Sequence, residues 1–187
     1  MILHFKEDLA RYQSYGESRL RIALNPAVWC IFWYRLGRLI YRSPSKRAAL
    51  LPFRAVHLLG ATFIEAFLQM RLNVKADIGP GLLIAHCGGI TLHPDVVIGS
   101  NCDLAHHVTI GTRGKGAVGT PRLGDGVYIG TNAVLIGPIV VGDRARIGAN
   151  SLVVCDVPEG ATMMGVPATM VHRRKYESAN EATKEYA

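Results

Sequence analysis

The chain has 187 residues and a formal net charge of +7, enough length for one domain and an accessory region. It is 49% hydrophobic and 19% charged, the balance of an ordinary soluble protein. Cys30, Cys87, Cys102 and Cys155 form no C-x-x-C pair, so neither a zinc module nor a disulfide framework is indicated, and a reducing, cytoplasmic setting is expected.

The charge is unevenly distributed. Residues 1–75 contain twelve Lys/Arg against four Asp/Glu, a balance of +8, and residues 76–187 contain nine against ten, a balance of −1. No nucleic-acid-binding module accompanies the basic half, so nucleic acid is not an expected partner. The basic half reads as a solvated face with ordinary salt bridges; the alternative is peripheral association with an anionic membrane surface, on the inner face of the membrane, or with a phosphorylated lipid-linked substrate. The opening Met-Ile-Leu-His-Phe-Lys-Glu-Asp has neither the basic nor the apolar region of a signal peptide.

In chain order, residues 1–24 mix polar and apolar positions and predict one or two short helices. Asn25-Pro26 is a helix start, with Asn as cap and Pro in the first turn. Residues 27–41 are rich in aromatic and aliphatic side chains with Arg35, Arg38 and Arg42 interleaved, and Ser43-Pro44-Ser45 is the expected stop. A second helix is predicted over residues 51–70, beginning near Pro52. The longest charge-free stretch in this half, residues 22–34, has thirteen residues and is too short to span a bilayer. These helices are expected to pack on one another or on a partner subunit, with a membrane interface as the alternative.

From Ile78 the pattern changes. Aliphatic residues recur every sixth position, at Ile78, Ile84, Ile90, Ile98, Leu104, Ile110, Leu123, Ile129, Leu135, Val141, Ile147 and Val153, and seven of the twelve precede a glycine. A helix buries positions 3.6 apart and a simple strand positions two apart, so neither explains a period of six. Short flat strands with one inward residue each, joined at corners that accept φ > 0, do explain it. Three strands make a coil of eighteen residues, and the stacked coils form a parallel β-helix. Two departures stand out: Ile90 to Ile98 is eight residues, with the extra pair expected around His93-Pro94, and Ile110 to Leu123 is thirteen, extruding a loop at residues 112–122. Gly114, Gly116 and Gly119 are expected to make that loop mobile when empty, and insertions in repeat proteins often form the binding surface. The expected organisation is an α-helical region at 1–74, a β-helix at 75–170 and a polar basic tail at 171–187, which contains His172-Arg173-Arg174-Lys175 and should be disordered.

Counting hexads aligns residues that lie far apart in the sequence. His86, His106, Thr131 and Ala149 are each third in their hexads and should form a vertical row with neighbours about 4.8 Å apart. The small residues higher in the row leave room for a slender substrate.

Hexads such as Ile129-Gly130-Thr131-Asn132-Ala133-Val134, together with the closing Gly165-Val166-Pro167-Ala168, resemble the hexapeptide-repeat acyltransferases. Gly81-Leu82-Leu83-Ile84-Ala85-His86, Val108-Thr109-Ile110-Gly111 and the upstream helices resemble the serine acetyltransferase branch and its sugar-modifying relatives. The resemblance covers about residues 20–172 of this chain. It implies a left-handed β-helix, so that the fold class is mostly β with an α-helical N-terminal region, and a homotrimer with sites between subunits; with so short a helical region a hexamer is not expected. It also implies an acetyl-CoA-dependent O-acetyltransferase needing no metal. His86 matches the family's general base, a role that suits an imidazole whose unperturbed pKa is about 6.5. Thr131 and Ala149 match positions lining acetyl-CoA, Gly130 or a neighbouring amide is a candidate oxyanion donor, and Arg146, Arg173 and Arg174 are candidates for the CoA phosphates. His106 is a second catalytic candidate, while His93, Asp95, His107 and Thr120 are candidates for acceptor binding.

Some positions depart from that pattern. Ala85 stands where serine acetyltransferases usually have aspartate, Arg71 near the position of a second aspartate, and Gly119 and Thr120 where the family has arginine and histidine. The groups that hold a zwitterion are therefore missing, and the expected acceptor is a neutral hydroxyl compound, a sugar or polysaccharide precursor; the alternative is serine, in cysteine biosynthesis. Asp95 or Asp103 is the expected substitute for orienting His86. The loop at 112–122 has no histidine, unlike the galactoside and xenobiotic acetyltransferases, which favours the branch that uses His86. A zinc site built from His86, His106 and His107, as in the γ-class carbonic anhydrases, and a non-catalytic scaffold are the remaining readings.

Overall fold

The computed structural model describes residues 2–41, 50–114, 116 and 118–171. Among these residues four helices, α1 (Ile2–Ser14), α2 (Arg19–Leu24), α3 (Pro26–Tyr41) and α4 (Leu51–Leu68), precede fifteen short strands. Pro26 opens α3, and the Asn25 side-chain oxygen accepts a hydrogen bond from the Ala27 amide at 2.9 Å, the expected cap. The predicted stop at Ser43-Pro44-Ser45 and the tail beyond Val171 lie outside the described residues. The second helix ends at Leu68, because Gln69 adopts a left-handed conformation (φ 51°) and Met70–Arg71 already forms a strand. The first strand thus falls inside the region read as helical. Although charge-free stretches are short, α4 is long and apolar enough to cross a membrane, with Arg54 and Glu65 as its charged residues.

The strands form a left-handed parallel β-helix with three sheets. The first runs through Met70–Arg71, Ile90–Leu92, Thr109–Gly111, Val134–Ile136 and Leu152–Val153; the second through Asp77–Ile78, Val97–Ile98, Arg122–Leu123 and Val140–Val141. The third runs through Leu83–Ile84, Asp103–Leu104, Tyr128–Ile129, Arg146–Ile147 and Thr162–Met164, and Thr169–Met170 folds back antiparallel on its last strand. Each inward aliphatic residue sits on its counterpart one coil away, as Ile98 on Leu123 and Leu104 on Ile129, and these residues are fully buried. The period extends past Val153: Val157 bridges to Val141 and Met163 pairs with Ile147. Coils approach so closely at the corners that a Cβ on Gly130 would lie 2.7 Å from the Ala149 amide nitrogen, which accounts for the glycine there.

Register moves one of the insertions. Leu92, not Ile90, pairs with Ile110, while Ile90 pairs with Met70. The step from Leu92 to Ile98 is therefore regular, and the two extra residues lie between Ile84 and Leu92, at the corner His86-Cys87-Gly88-Gly89 rather than around His93-Pro94. Gly88 (φ 117°) and Gly89 (φ 65°) make the bulge sterically possible. The second insertion is where the spacing puts it, although Arg122, assigned to that loop, opens a strand.

The first coil has no coil beneath it, and the helices supply its missing partners. The Tyr12 hydroxyl donates to the Ile84 carbonyl at 2.9 Å and accepts from the Ile84 amide at 3.1 Å. Tyr34 does the same between the Ala76 carbonyl and the Ile78 amide. Arg35 forms a bidentate pair with Asp8 (2.9 and 3.0 Å) and donates to the carbonyls of Ile78 and Gly79, while Asp8 accepts the Leu82 amide at 2.8 Å. Both charges are buried and fully bonded, the condition under which a buried ion pair is tolerated.

Candidate functional site

The corner between the third and first sheets carries the expected row. Pairing of Ile84 with Leu104, Leu104 with Ile129 and Ile129 with Ile147 places His86, His106, Thr131 and Ala149 at equivalent positions of successive coils. The His86 and His106 rings meet edge to face with centroids 5.8 Å apart, and His106 meets His107 in the same way at 5.3 Å. His86 is exposed, whereas His106 is half-buried and its Nδ1 is buried without a hydrogen-bond partner. His86 is presented on the two-residue bulge, so that twenty residues rather than eighteen separate it from His106, and the loop at 112–122 makes the next step, to Thr131, twenty-five. Burial pushes the thiol of its neighbour Cys87 up from the ordinary value.

His107 has a conformational reason to be where it is. It adopts φ 59° at the corner position that Asn132 (φ 60°) and Asn150 (φ 56°) occupy in the coils above, and histidine, like asparagine, is enriched in that region. Its amide donates to the Gly88 carbonyl at 2.8 Å, which ties the bulge to the next coil.

The amide donors at this corner are not equivalent. The Gly130 N–H already bonds the Ile147 carbonyl at 2.8 Å, so it is not free to hold an oxyanion. Asn132 and Asn150 likewise donate to the carbonyls of His106 and Thr131. The amides of Thr131 and Ala149, between these, donate to no acceptor among the described residues, and they are the better oxyanion or amide-binding candidates. Above them opens a groove on the third sheet, lined by Tyr128, Arg146, Gly148, Ala149, Met164 and Met170. Arg146 lies over the Tyr128 ring at 4.7 Å, an arrangement that holds a guanidinium at the groove wall while leaving it exposed. Tyr128 escaped the sequence reading: it stands just before the inward Ile129, in the same outward position as Arg146 one coil later, and that register was its only signal. Arg173 lies outside the described residues.

The carboxylates expected to orient His86 are occupied elsewhere. Asp103 is held by Arg11 at 2.7 Å and by the Tyr15 hydroxyl at 3.2 Å, on the face where the helices dock. Asp95 lies 3.7 Å from His93, and its carbonyl accepts the Thr120 hydroxyl at 2.8 Å. His93, Asp95 and Thr120 therefore form a second cluster, at the corner between the first and second sheets, separated from His86 within one chain by the width of the first sheet. In the loop above this corner, Arg113 donates to the Val154 carbonyl at 2.6 Å. Arg71 makes a 3.7 Å ion pair with Glu65 at the foot of α4. His86, His106 and His107 meet edge to face in a row, and among the described residues no three His, Cys, Asp or Glu side chains gather at metal-ligand spacing.

Comparison with known proteins agrees with this architecture. Residues 120–154 match the family model described as bacterial transferase hexapeptide (six repeats). The chain is similar to a serine acetyltransferase of Helicobacter pylori strain J99, 34% identical over 151 residues that span 80% of this chain and 84% of the relative. It is also similar to a probable serine acetyltransferase of Oryza sativa subsp. japonica, 40% identical over 124 residues, which are 65% of this chain but only 41% of that protein's length. Among solved structures, a serine acetyltransferase in complex with CoA superposes with a TM-score of 0.75 at 28% identity, over 91% of this chain and 69% of that one.

Proposed function

Because the chain belongs to the serine acetyltransferase family of hexapeptide-repeat transferases, we propose that it transfers the acetyl group of acetyl-CoA to an acceptor hydroxyl, with His86 as general base. The observation that carries this reading is the column at one corner. An exposed imidazole on a glycine bulge lies in line with the unbonded amides of Thr131 and Ala149, and these lead to the groove beside Arg146. In the proposed reaction His86 takes the acceptor's hydroxyl proton as the oxygen attacks the thioester carbon. The thioester oxygen becomes an oxyanion, facing the Thr131 or Ala149 amide. Collapse of the tetrahedral intermediate breaks the C–S bond, and the leaving thiolate receives the proton from the imidazolium. A histidine suits both transfers because it changes charge near neutral pH. The small side chains of Thr131 and Ala149 leave room for the pantetheine arm, and Arg146 on the adjoining groove is the basic group placed for a phosphate.

Serine is the acceptor that the relatives' names support. A second reading, a neutral sugar hydroxyl, rests on a specific observation: Ala85, Gly119 and Thr120 are uncharged and Arg71 is paired with Glu65, so these four positions supply no free charge for the ammonium and carboxylate of an amino acid. The separation of the cluster at His93, Asp95 and Thr120 from the row at His86 supports a homotrimer, in which one subunit's cluster faces the next subunit's row. Four unpaired cysteines support a reducing compartment. The test is release of free thiol from acetyl-CoA by the purified protein, with L-serine and with a panel of sugars and nucleotide sugars. Saturable release with serine is expected; release with a saccharide alone would replace serine by the second reading, and none with any acceptor would refute the acetyl-transfer reading.

A further inference from the structure

Helix α4 is covered along one stripe and bare along the rest. Arg54, His57, Gly60 and Ile64 face α3, where the buried His57 ring stacks on Trp33 with centroids 5.5 Å apart and the Trp33 indole N–H donates to the His57 carbonyl at 3.0 Å. A Cβ on Gly60 would lie 2.1 Å from the Trp33 ring, so this seam is closely packed. The opposite face is apolar and exposed: Phe53 60%, Leu59 72%, Phe63 59% and Phe67 71%, with Val56 and Leu58 beside them. Scattered exposed apolar residues are ordinary, but a continuous band along an eighteen-residue helix is not. The two charged groups on α4 do not interrupt it, since Arg54 is half-buried and Glu65 pairs with Arg71.

We propose that this face of α4 docks on an anionic lipid surface. Charge decides between lipid and a second copy of the chain. Residues 1–75 carry +8, and with Arg11 and Arg38 paired to Asp103 and Asp77 of the β-helix an excess of about +6 remains, so two such halves brought face to face would repel, whereas a surface of acidic headgroups attracts them. The helix lies in the interface rather than crossing it. Its inner stripe is packed on α3, and its C-terminal end runs through Gln69 directly into the first sheet at Met70, so both are tied to a water-facing body. The Tyr12 and Arg35 hydrogen bonds join the coil bearing His86 to the same helical layer on which α4 packs. This inference stands on α4 and the charge distribution and does not depend on the acetyl-transfer reading.

The experiment is cosedimentation of the full chain with phosphatidylcholine vesicles, with and without phosphatidylglycerol. Binding to the phosphatidylglycerol vesicles is expected, at least about tenfold stronger than to phosphatidylcholine alone and weakened by added salt. A Phe63→Glu/Phe67→Glu variant should lose at least about tenfold, since each buried aromatic ring contributes roughly that much. Both side chains are exposed, so the variant should keep its circular dichroism spectrum, and Leu59→Glu serves as the second variant if it does not. Failure to bind either vesicle would overturn the proposal, as would binding that the substitutions leave unchanged. A wild-type mass that the double variant halves in sedimentation equilibrium, without lipid binding, would assign the face to a second copy instead.

Discussion

The β-helix and its helical cap are held together by opposite means. In the β-helix each coil is the partner of the next: Leu104 rests on Ile129, Ile129 on Ile147, and the amide of one coil bonds the carbonyl of its neighbour. No single contact is special, and stability accumulates by nearly equal increments, as in other solenoids. The cap has no repeat. It consists of individual polar groups, Asp8, Tyr12, Tyr34 and Arg35, each matched to particular backbone atoms of the first coil. A repeat satisfies its own hydrogen bonds everywhere except at its ends, and an end has to be closed by chemistry that the repeat does not contain. At the far end the same need is met differently, by Thr169–Met170 folding back antiparallel on the last strand of the third sheet.

Substitutions on the two sides of this divide should behave differently. Asp8→Ala leaves the buried Arg35 guanidinium unpaired and removes the acceptor of the Leu82 amide, so a loss of about 3–5 kcal/mol is expected in denaturant unfolding. A loss under about 1 kcal/mol would mean that the cap is dispensable. His86→Ala, at an exposed corner, should lower acetyl-transfer turnover by at least about a hundredfold and leave the unfolding midpoint almost unchanged, within about 0.5 kcal/mol. Full activity in that variant would remove His86 from the mechanism. Ile129→Val takes one methylene from the middle of a ladder, with intact coils on both sides, and should cost only about 0.5–1.5 kcal/mol. A much larger loss would show that the repeat is less additive than its geometry implies.

Legibility followed the same division. The ladder, the corner glycines and the vertical row from His86 to Ala149 all follow from counting, because a residue's neighbours in a coil are set by a fixed sequence separation. Where counting was ambiguous it failed. Ile90 and Leu92 are both apolar and both buried, two positions apart on one strand, so either satisfies the period; only the pairing of Leu92 with Ile110 shows that the extra residues belong to the His86 bulge. Nothing in the hexad of Asp103 reveals Arg11, ninety-two residues away, which holds it away from His86. The Gly130 amide looks available in sequence and is already bonded to the coil above.

By itself the amino-acid sequence determined the period, and with it the β-helix, its aliphatic core, the loop after Ile110 and the alignment of His86 with His106, Thr131 and Ala149. These depend on local spacing alone. Only the tertiary structure decided where the two-residue bulge falls, how Asp8 and Arg35 close the first coil, which amides stay unbonded and which face of α4 is left bare. Each of those turns on which distant residues meet, and hydrogen bonds between them carry no periodic trace in the chain.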